Sequence, residues 1–327
     1  MPNAGITGIG SYLPEKVLTN HDLEKLVETS DEWIKTRTGM SERHIAADDQ
    51  AASDLSLIAA RRALESAGLE AAALDAIVLA TVCPDYLFPS TACVLQDKLG
   101  AVNAGGFDLS AGCAGFASSL AVADGLIKSG QCEHVLVVGV EVLSRVTNWE
   151  DRGTCVLFGD GAGAAVVSAV EEEGVLANYL RADGSGGRFL IQPAGGSANP
   201  ATHETVERKM HYIHMSGGDV FKAAVRAMVE AALNVLEQAG YKPEDLDLLV
   251  PHQANIRIIE GVRKRLKVPK ERAFVNIERQ ANTSAATIPI CLDEAYRNGR
   301  LKRGDLVCTT TFGAGFTWAG NLLRWII

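Results

Sequence analysis

Apolar residues come in two rhythms along this chain. Short, nearly unbroken apolar runs over 4–10, 75–82, 106–109, 134–140, 159–167 and 246–250 have the length of strands buried on both faces. Between them, apolar positions recur every three or four residues. Leu55, Ile58, Ala59, Ala63 and Ala67 predict a helix over 54–68, capped by Ser53 and ended by Gly68. A second helix is expected over 91–99, stopped at Gly100. Val225, Met228, Val229, Ala232, Leu236 and Ala239 predict a long one over 221–240. Asn20 and Asp31 read as caps of helices over 21–28 and 32–37. Strands alternating with helices imply an α/β architecture, its strands covered on both sides. A polar break, Glu171-Glu-Glu-Gly174, divides the chain into halves 1–174 and 175–327. The Gly/Ser/Pro-rich stretch 183–199 reads as a long loop over a site, because patterned sequence resumes on both sides of it.

The two halves repeat. Residues 63–78 and 235–250 align without a gap, each as helix, Gly, loop, Leu-Asp and strand. In the first copy the next strand leads to Cys113; the corresponding place in the second is Gln280-Ala-Asn-Thr-Ser-Ala-Ala286, with Asn282 opposite Cys113. A duplicated unit brings equivalent strand ends together near a pseudo-twofold axis, where one site can be shared. No Gly-x-Gly-x-x-Gly follows the first strand, which argues against dinucleotide binding.

Composition narrows the reading. At 327 residues, 47% hydrophobic and 22% charged, the chain has the make-up of an ordinary globular protein. A net charge of −9 argues against nucleic-acid binding. No apolar run approaches bilayer length, and residues 1–10 lack a signal-peptide pattern, so no membrane association is expected. The seven scattered cysteines form no Cys-x-x-Cys pair, which suits a reducing cytoplasm better than disulfides or zinc.

Chemistry concentrates at strand-to-helix turns. The run Phe107-Asp-Leu breaks at Ser110-Ala-Gly112 and restarts at Cys113 as a small-residue helix over 114–128, placing Cys113 at a helix N-terminus. Free N–H groups and the helix dipole there favour a thiolate, and the same N–H groups can hold an oxyanion. Alone, a Cys among Ala and Gly is more often a core residue. His252 follows the strand 246–250 beside Gln253 and Asn255. Asn282 stands at another turn, and Gly313-Ala-Gly315 forms a third tight loop. Trp33, Arg37 and Arg43 lie in a polar region, where they read either as surface packing or as a site for a nucleotide-like group.

Together, Asp-Leu-Ser-Ala-Gly-Cys113-Ala-Gly-Phe, Pro-His252-Gln-Ala-Asn, Gln-Ala-Asn282-Thr-Ser-Ala-Ala and Phe-Gly-Ala-Gly-Phe-Thr-Trp318 resemble the β-ketoacyl-acyl-carrier-protein synthase III family, the initiating condensing enzymes of fatty acid synthesis. The resemblance runs from Gly5 to Trp325. It implies a thiolase-like fold layered α-β-α-β-α. It also implies a ping-pong condensation: acyl-CoA acylates Cys113, and malonyl-acyl-carrier protein then decarboxylates and attacks that thioester. By the same resemblance His252 and Asn282 stabilise the enolate, and the backbone N–H groups of Cys113 and Ala314 form the oxyanion hole. A Gly often stands at the Ala314 position in the family. Trp33 and Arg152 match the pair that sandwiches the CoA adenine, Arg37 contacts its phosphates, and Gly217 and Asn255 lie along the pantetheine arm. Phe88 matches the residue that closes the acyl pocket, across a homodimer interface, and its bulk implies a short primer such as acetyl. No cofactor is implied; the CoA thioester enters as a substrate.

Two other readings compete. A family relative could pass its acyl group to a secondary-metabolite acceptor without condensation, but such relatives tend to replace the Asn, and Asn282 is present. A catalytically silent member would not need Cys113, His252 and Asn282 intact. One basic feature stands out in an acidic chain. Over 255–267 a helix buries Ile259, Val262 and Leu266, leaving Arg257, Lys264 and Arg265 within an arc of roughly 100° on another side. Beside His252, such a face suits docking of an acidic carrier protein rather than an idle solvated surface.

Overall fold

The computed structural model describes residues 2–327; Met1, the first residue of the stretch read for a signal peptide, lies outside the described residues. Two mixed sheets form its frame. The first contains β1 (Asn3–Tyr12), β2 (Ala76–Ala80), β3 (Gly105–Leu109), β4 (His134–Glu141) and β5 (Gly161–Val170), in spatial order β1-β5-β4-β2-β3. The second contains β6 (Val175–Ala182), β7 (Leu248–Pro251), β8 (Leu306–Gly313) and β9 (Thr317–Arg324), in order β6-β9-β8-β7. The pairings repeat. β2 runs parallel to β4, which is antiparallel to β5, itself antiparallel to β1. Likewise β7 runs parallel to β8, β8 is antiparallel to β9, and β9 to β6. The counterpart of β3 has shrunk to one bridge between Leu249 and Ala273, beside which Phe274 N–H donates to the Leu249 carbonyl at 2.9 Å.

Seven helices matter here: α1 (Asp31–Thr38), α2 (Ala52–Ala67), α3 (Thr91–Leu99), α4 (Gly115–Lys128), α5 (Gly217–Gln238), α6 (Ile256–Leu266) and α7 (Thr287–Arg297). Helices α4 and α7 lie between the sheets, α2 and α3 cover the outside of the first, and α5 and α6 cover the outside of the second. Strand β4 shows why such sequences are apolar without interruption, whereas β3, also read as buried on both faces, is half exposed because it forms the edge of its sheet. In β4, Val135 and Val137 face the central layer, while Leu136, Val138 and Val140 face the outer helices. With both faces dry, period-two alternation disappears from the sequence. The central helix α4 must fit between two sheets, so it is built from small residues. A Cβ on Gly115 would come within 2.8 Å of the Ala80 Cβ.

Several boundaries differ from expectation, each for a local reason. Helix α2 starts at Ala52, since the Asp54 carboxylate caps the Ala51 N–H at 2.9 Å and Ser53 instead donates to Asp85. The first short helix covers only Asn20–Leu23 with Thr19 as its cap, because Glu24 is drawn away to accept from the Asp31 N–H at 2.7 Å. Ser30, not Asp31, caps α1 by accepting from the Trp33 N–H. The duplication also holds in a different register at the site. Each central helix is preceded by a 3₁₀ turn, Gly112–Ala114 in the first half and Ser284–Ala286 in the second. Their first residues share a left-handed backbone, φ 53° at Gly112 and 48° at Ser284. Cys113 therefore corresponds to Ala285, and Asn282 lies three positions earlier, opposite Ser110 rather than Cys113.

One glycine joins the halves here. A Cβ on Gly139 in β4 would sit 2.3 Å from the Ala285 carbonyl oxygen, which belongs to backbone and cannot swing aside. Gly139→Ala is therefore expected to destabilise the chain by about 1–3 kcal/mol through overpacking. A urea-unfolding midpoint equal to the parent's would show that the two halves are not in this contact.

Candidate active site

A cavity of about 300 Å³ opens at the strand-end turns of both halves, and Cys113, His252, Asn282 and the Gly313-Ala314 loop all line it. Cys113 comes from the turn after β3, His252 from the end of β7, and Ala314 from the loop after β8. The rest of the wall is mainly apolar, with Leu143, Phe158 and Ile213 among its residues. The stretch 183–199 does reach the site, through Leu190, Ile191 and Gln192. Among the described residues no group of three or more His, Cys, Asp or Glu side chains is arranged to hold a metal.

Two glycines set the closest approach. A Cβ on Gly313 would lie 2.3 Å from the Cys113 backbone nitrogen, and one on Gly112 would lie 2.8 Å from the Ala314 nitrogen. Without side chains at 112 and 313, the two backbone N–H groups come close together. A pair of such donors is what a developing oxyanion requires.

Desolvation governs protonation in this cavity. Burial pushes the Cys113 thiol up to about 12; contact with Ser284 and its own backbone N–H pull the other way, and the Glu141 charge adds to the rise. Burial of the anion thus opposes the pull of the helix N-terminus toward a thiolate. His252 is 1% exposed and neither ring nitrogen has a partner among the described residues. Burial pushes it down to about 3, so it is a neutral imidazole at physiological pH. Gln253 holds its backbone, donating to the Pro251 and Phe274 carbonyls at 2.7 and 3.2 Å. Asn282 accepts from the Ser284 N–H at 2.9 Å through Oδ1, which orients its Nδ2 donor away from that bond.

Sequence comparison decides the affiliation. Family models described as 3-Oxoacyl-[acyl-carrier-protein (ACP)] synthase III match residues 107–184, and for its C-terminal region residues 236–325. A β-ketoacyl-acyl-carrier-protein synthase III of Caldanaerobacter subterraneus is 57% identical over 323 residues, 98% of each chain. The chain belongs to the 3-oxoacyl-acyl-carrier-protein synthase III family. Crystal structures of synthases III from Aquifex aeolicus (TM-score 0.91, 49% identity, 98% of this chain and 100% of that one) and Pseudomonas aeruginosa (0.92, 44%, 99% of each) share its thiolase-like fold.

The other residues singled out from the synthase III resemblance are placed unevenly. Arg152 stacks on Trp33, its guanidinium carbon 4.5 Å from the ring centroid. As they stand the two cover each other, so a base between them would have to part the pair. Arg37 is exposed, and its carbonyl accepts from Asn255 Nδ2 at 3.0 Å. Asn255 also caps α6 by accepting from the Arg257 N–H at 2.9 Å, yet each end of an amide retains a second hydrogen-bonding direction. Gly217 and Asn255 line the cavity. Arg43 is not at the surface: it is fully buried and bonded to Leu18, Asn20 and Val156. Phe88 is 86% exposed and absent from the cavity wall, so it closes nothing within one chain. Glu141 and Ser284 were missed; each looked like the end of an apolar run or a small turn residue.

The neutral state of His252 has a direct readout. Its ring Cε1–H resonance is expected to stay constant from pH 8 to pH 4, since the group remains unprotonated down to about pH 3. Because its folded value is depressed, the unfolded chain binds that proton first, and the His252 contribution to stability should fall as pH drops below about 6.5. A resonance that titrates near 6.5 would place His252 in contact with water.

Proposed function

We propose that the chain performs the initiating condensation of fatty acid synthesis. In this reaction acyl-CoA and malonyl-acyl-carrier protein give 3-oxoacyl-acyl-carrier protein, carbon dioxide and CoA. The observation that carries this reading is the meeting of Cys113, His252 and Asn282 in one apolar cavity, in a chain of the synthase III family. In the first half-reaction the Cys113 sulfur attacks the acyl-CoA carbonyl, the oxyanion accepts from the N–H groups of Cys113 and Ala314, and CoA thiolate departs. In the second, the malonyl thioester loses carbon dioxide. The enolate oxygen accepts from the neutral His252 ring and from Asn282 Nδ2, two donors too weakly acidic to quench the carbanion. The carbanion then attacks the Cys113 thioester and expels the sulfur. Trp33, Arg37 and Arg152 bind the nucleotide end of CoA, with Gly217 and Asn255 along its arm; no cofactor takes part.

A second copy of the chain completes the acyl pocket. Among the described residues no strand pairs with the outer edge of β3; Phe107 on that strand, Val102 just before it, and Tyr86, Leu87 and Phe88 in the loop after β2 expose apolar surface. An open edge with an apolar margin suits a twofold pairing of identical chains. In that pairing Phe88 of one copy reaches the cavity of the other and limits it to a short primer such as acetyl. Among the described residues no helix is long and apolar enough to cross a membrane. The reducing compartment that suits seven cysteines without a Cys-x-x-Cys pair, the cytoplasm, is where we place the reaction.

The carrier docks on α6. Arg257, Lys264 and Arg265 are exposed, and none has an acidic partner among the described residues. Arg257 lies over the ring of Phe221, 5.4 Å from its centroid, and Phe221 lines the cavity. Opposite charge here raises the encounter rate with an acidic carrier even though the net charge is −9.

Three variants separate the chemical roles. Cys113→Ser should show no acyl adduct by intact mass after acyl-CoA treatment, whereas His252→Ala and Asn282→Ala should still acylate but release labelled carbon dioxide about 10²–10³ times more slowly. Parent-like decarboxylation by either Ala variant would remove that residue from the mechanism, and none at all in the parent would favour acyl transfer without condensation.

Charge reversal at Arg257 and Lys264 should raise KM for malonyl-acyl-carrier protein several-fold and leave acylation by acyl-CoA unchanged. Added salt should weaken the parent in the same direction. Equal losses in both half-reactions would overturn the docking assignment.

A further inference from the structure

Glu141 ends β4 fully buried, and no Lys, Arg or His pairs with it among the described residues. Five donors surround its carboxylate instead: Val82 N–H at 3.1 Å, Thr81 Oγ1 at 3.3 Å, Ser284 Oγ at 3.0 Å, the Ala285 N–H and the Cys83 thiol. Ser284 lines the same cavity as Cys113 and bears on its thiol, so the Ser284 hydroxyl, bonded to Glu141, is the polar group that links the carboxylate to the cavity holding the nucleophile. The titratable groups that face Glu141 are two thiols, Cys113 from the turn before α4 and Cys83 from the loop after β2, with Asp160 acting on Cys83 from beyond. A buried carboxylate without a counter-charge is costly unless it exchanges a proton. The condensation scheme above leaves one proton unassigned: the one on the Cys113 sulfur.

We propose that Glu141, acting through the Ser284 hydroxyl, stores the Cys113 proton for as long as the acyl group occupies the sulfur. This rests on Cys113 being the acylated nucleophile. As the sulfur–acyl bond forms, the thiol proton passes to Ser284 Oγ and the Ser284 proton to the Glu141 carboxylate. The bond from the acyl carbon to CoA breaks, and the CoA thiolate takes its proton from solvent. When condensation breaks the Cys113 thioester, the departing sulfur recovers a proton from Ser284, and Ser284 recovers one from Glu141. One proton leaves the sulfur and one returns in each turnover. The neighbouring groups fit this division: His252, pushed down to about 3, cannot hold the proton at neutral pH, whereas burial raises Glu141 to about 7. Glu141 is thus a positioning residue, with Ser284 the group in contact with the reacting atom.

The test is rapid-quench intact-mass measurement of Cys113 acylation by acetyl-CoA, from pH 5.5 to 9, in the full-length parent, Glu141→Gln and Ser284→Ala. The parent rate should rise through one ionisation near pH 7 and level off. Both variants should lose that rise and acylate about 10²-fold more slowly at the plateau, the lower end for loss of a positioned proton acceptor. If either variant keeps the parent's rate or the parent's pH dependence, the relay is wrong and Glu141 is only a structural anchor. Should one variant fail to fold by thermal melting, the other decides. A parent that acquires no acyl group on Cys113 would overturn both the relay and the nucleophile assignment, an outcome distinct from a parent-like variant.

Discussion

The site depends on how closely two pieces of backbone can approach. Cys113 belongs to one half of the chain and His252, Asn282 and Ala314 to the other, so the chemistry exists only where the halves touch. Gly112 and Gly313 bring two peptide N–H groups together, and Gly139 lets β4 lie against the turn at Ala285. No side chain fits in any of these places. The central helices α4 and α7 each pack against both sheets at once, and the small residues of α4 allow it to lie close to them. The small residues around Cys113 are therefore dictated first by packing, and the open backbone donors follow from that packing.

Dryness is the second consequence of this contact. A cavity walled mostly by apolar residues penalises every charge placed in it, in a direction set by the group. It pushes the Cys113 thiol and the Glu141 carboxyl up and keeps the His252 imidazole neutral. One physical cause favours the uncharged form of all three groups. Hydrogen bonds modulate these states, but for all three groups burial is the largest influence.

Much of this was legible in the sequence. Strands buried on both faces announce themselves as apolar runs: β2 lies within the run read for it, and β4 and β7 each overrun theirs by one residue, Glu141 and Pro251. The turns bearing Cys113, His252 and Asn282 stood out because small or polar residues interrupt apolar patterns there. What escaped has equally physical reasons. The β8–β9 hairpin was not read, since Thr309, Thr310 and Thr311 break the hydrophobic run; folded, each hydroxyl is satisfied, by Asn321, Met228 and Ala319 respectively. Arg43 looked like a surface cation because nothing local shows that its guanidinium meets carbonyls from Leu18 and Val156. The register of the duplication near Asn282 was fixed by backbone handedness at Gly112 and Ser284, and a left-handed Ser has no signature in sequence. Protonation states depend on burial, which emerges only from the assembled fold.

The duplication is imperfect in a way that breaks the likeness of the two halves at their margins. In the second half the position equivalent to β3 is a single bridge at Ala273, and that segment lies over the outer edge of β7. Of these two corresponding positions, only the one in the first half keeps a full strand whose outer edge has no partner among the described residues. Two intact copies would present the same margin twice to anything that approached. The shortened strand removes that equivalence, so an internally repetitive polypeptide shows a different face at each end.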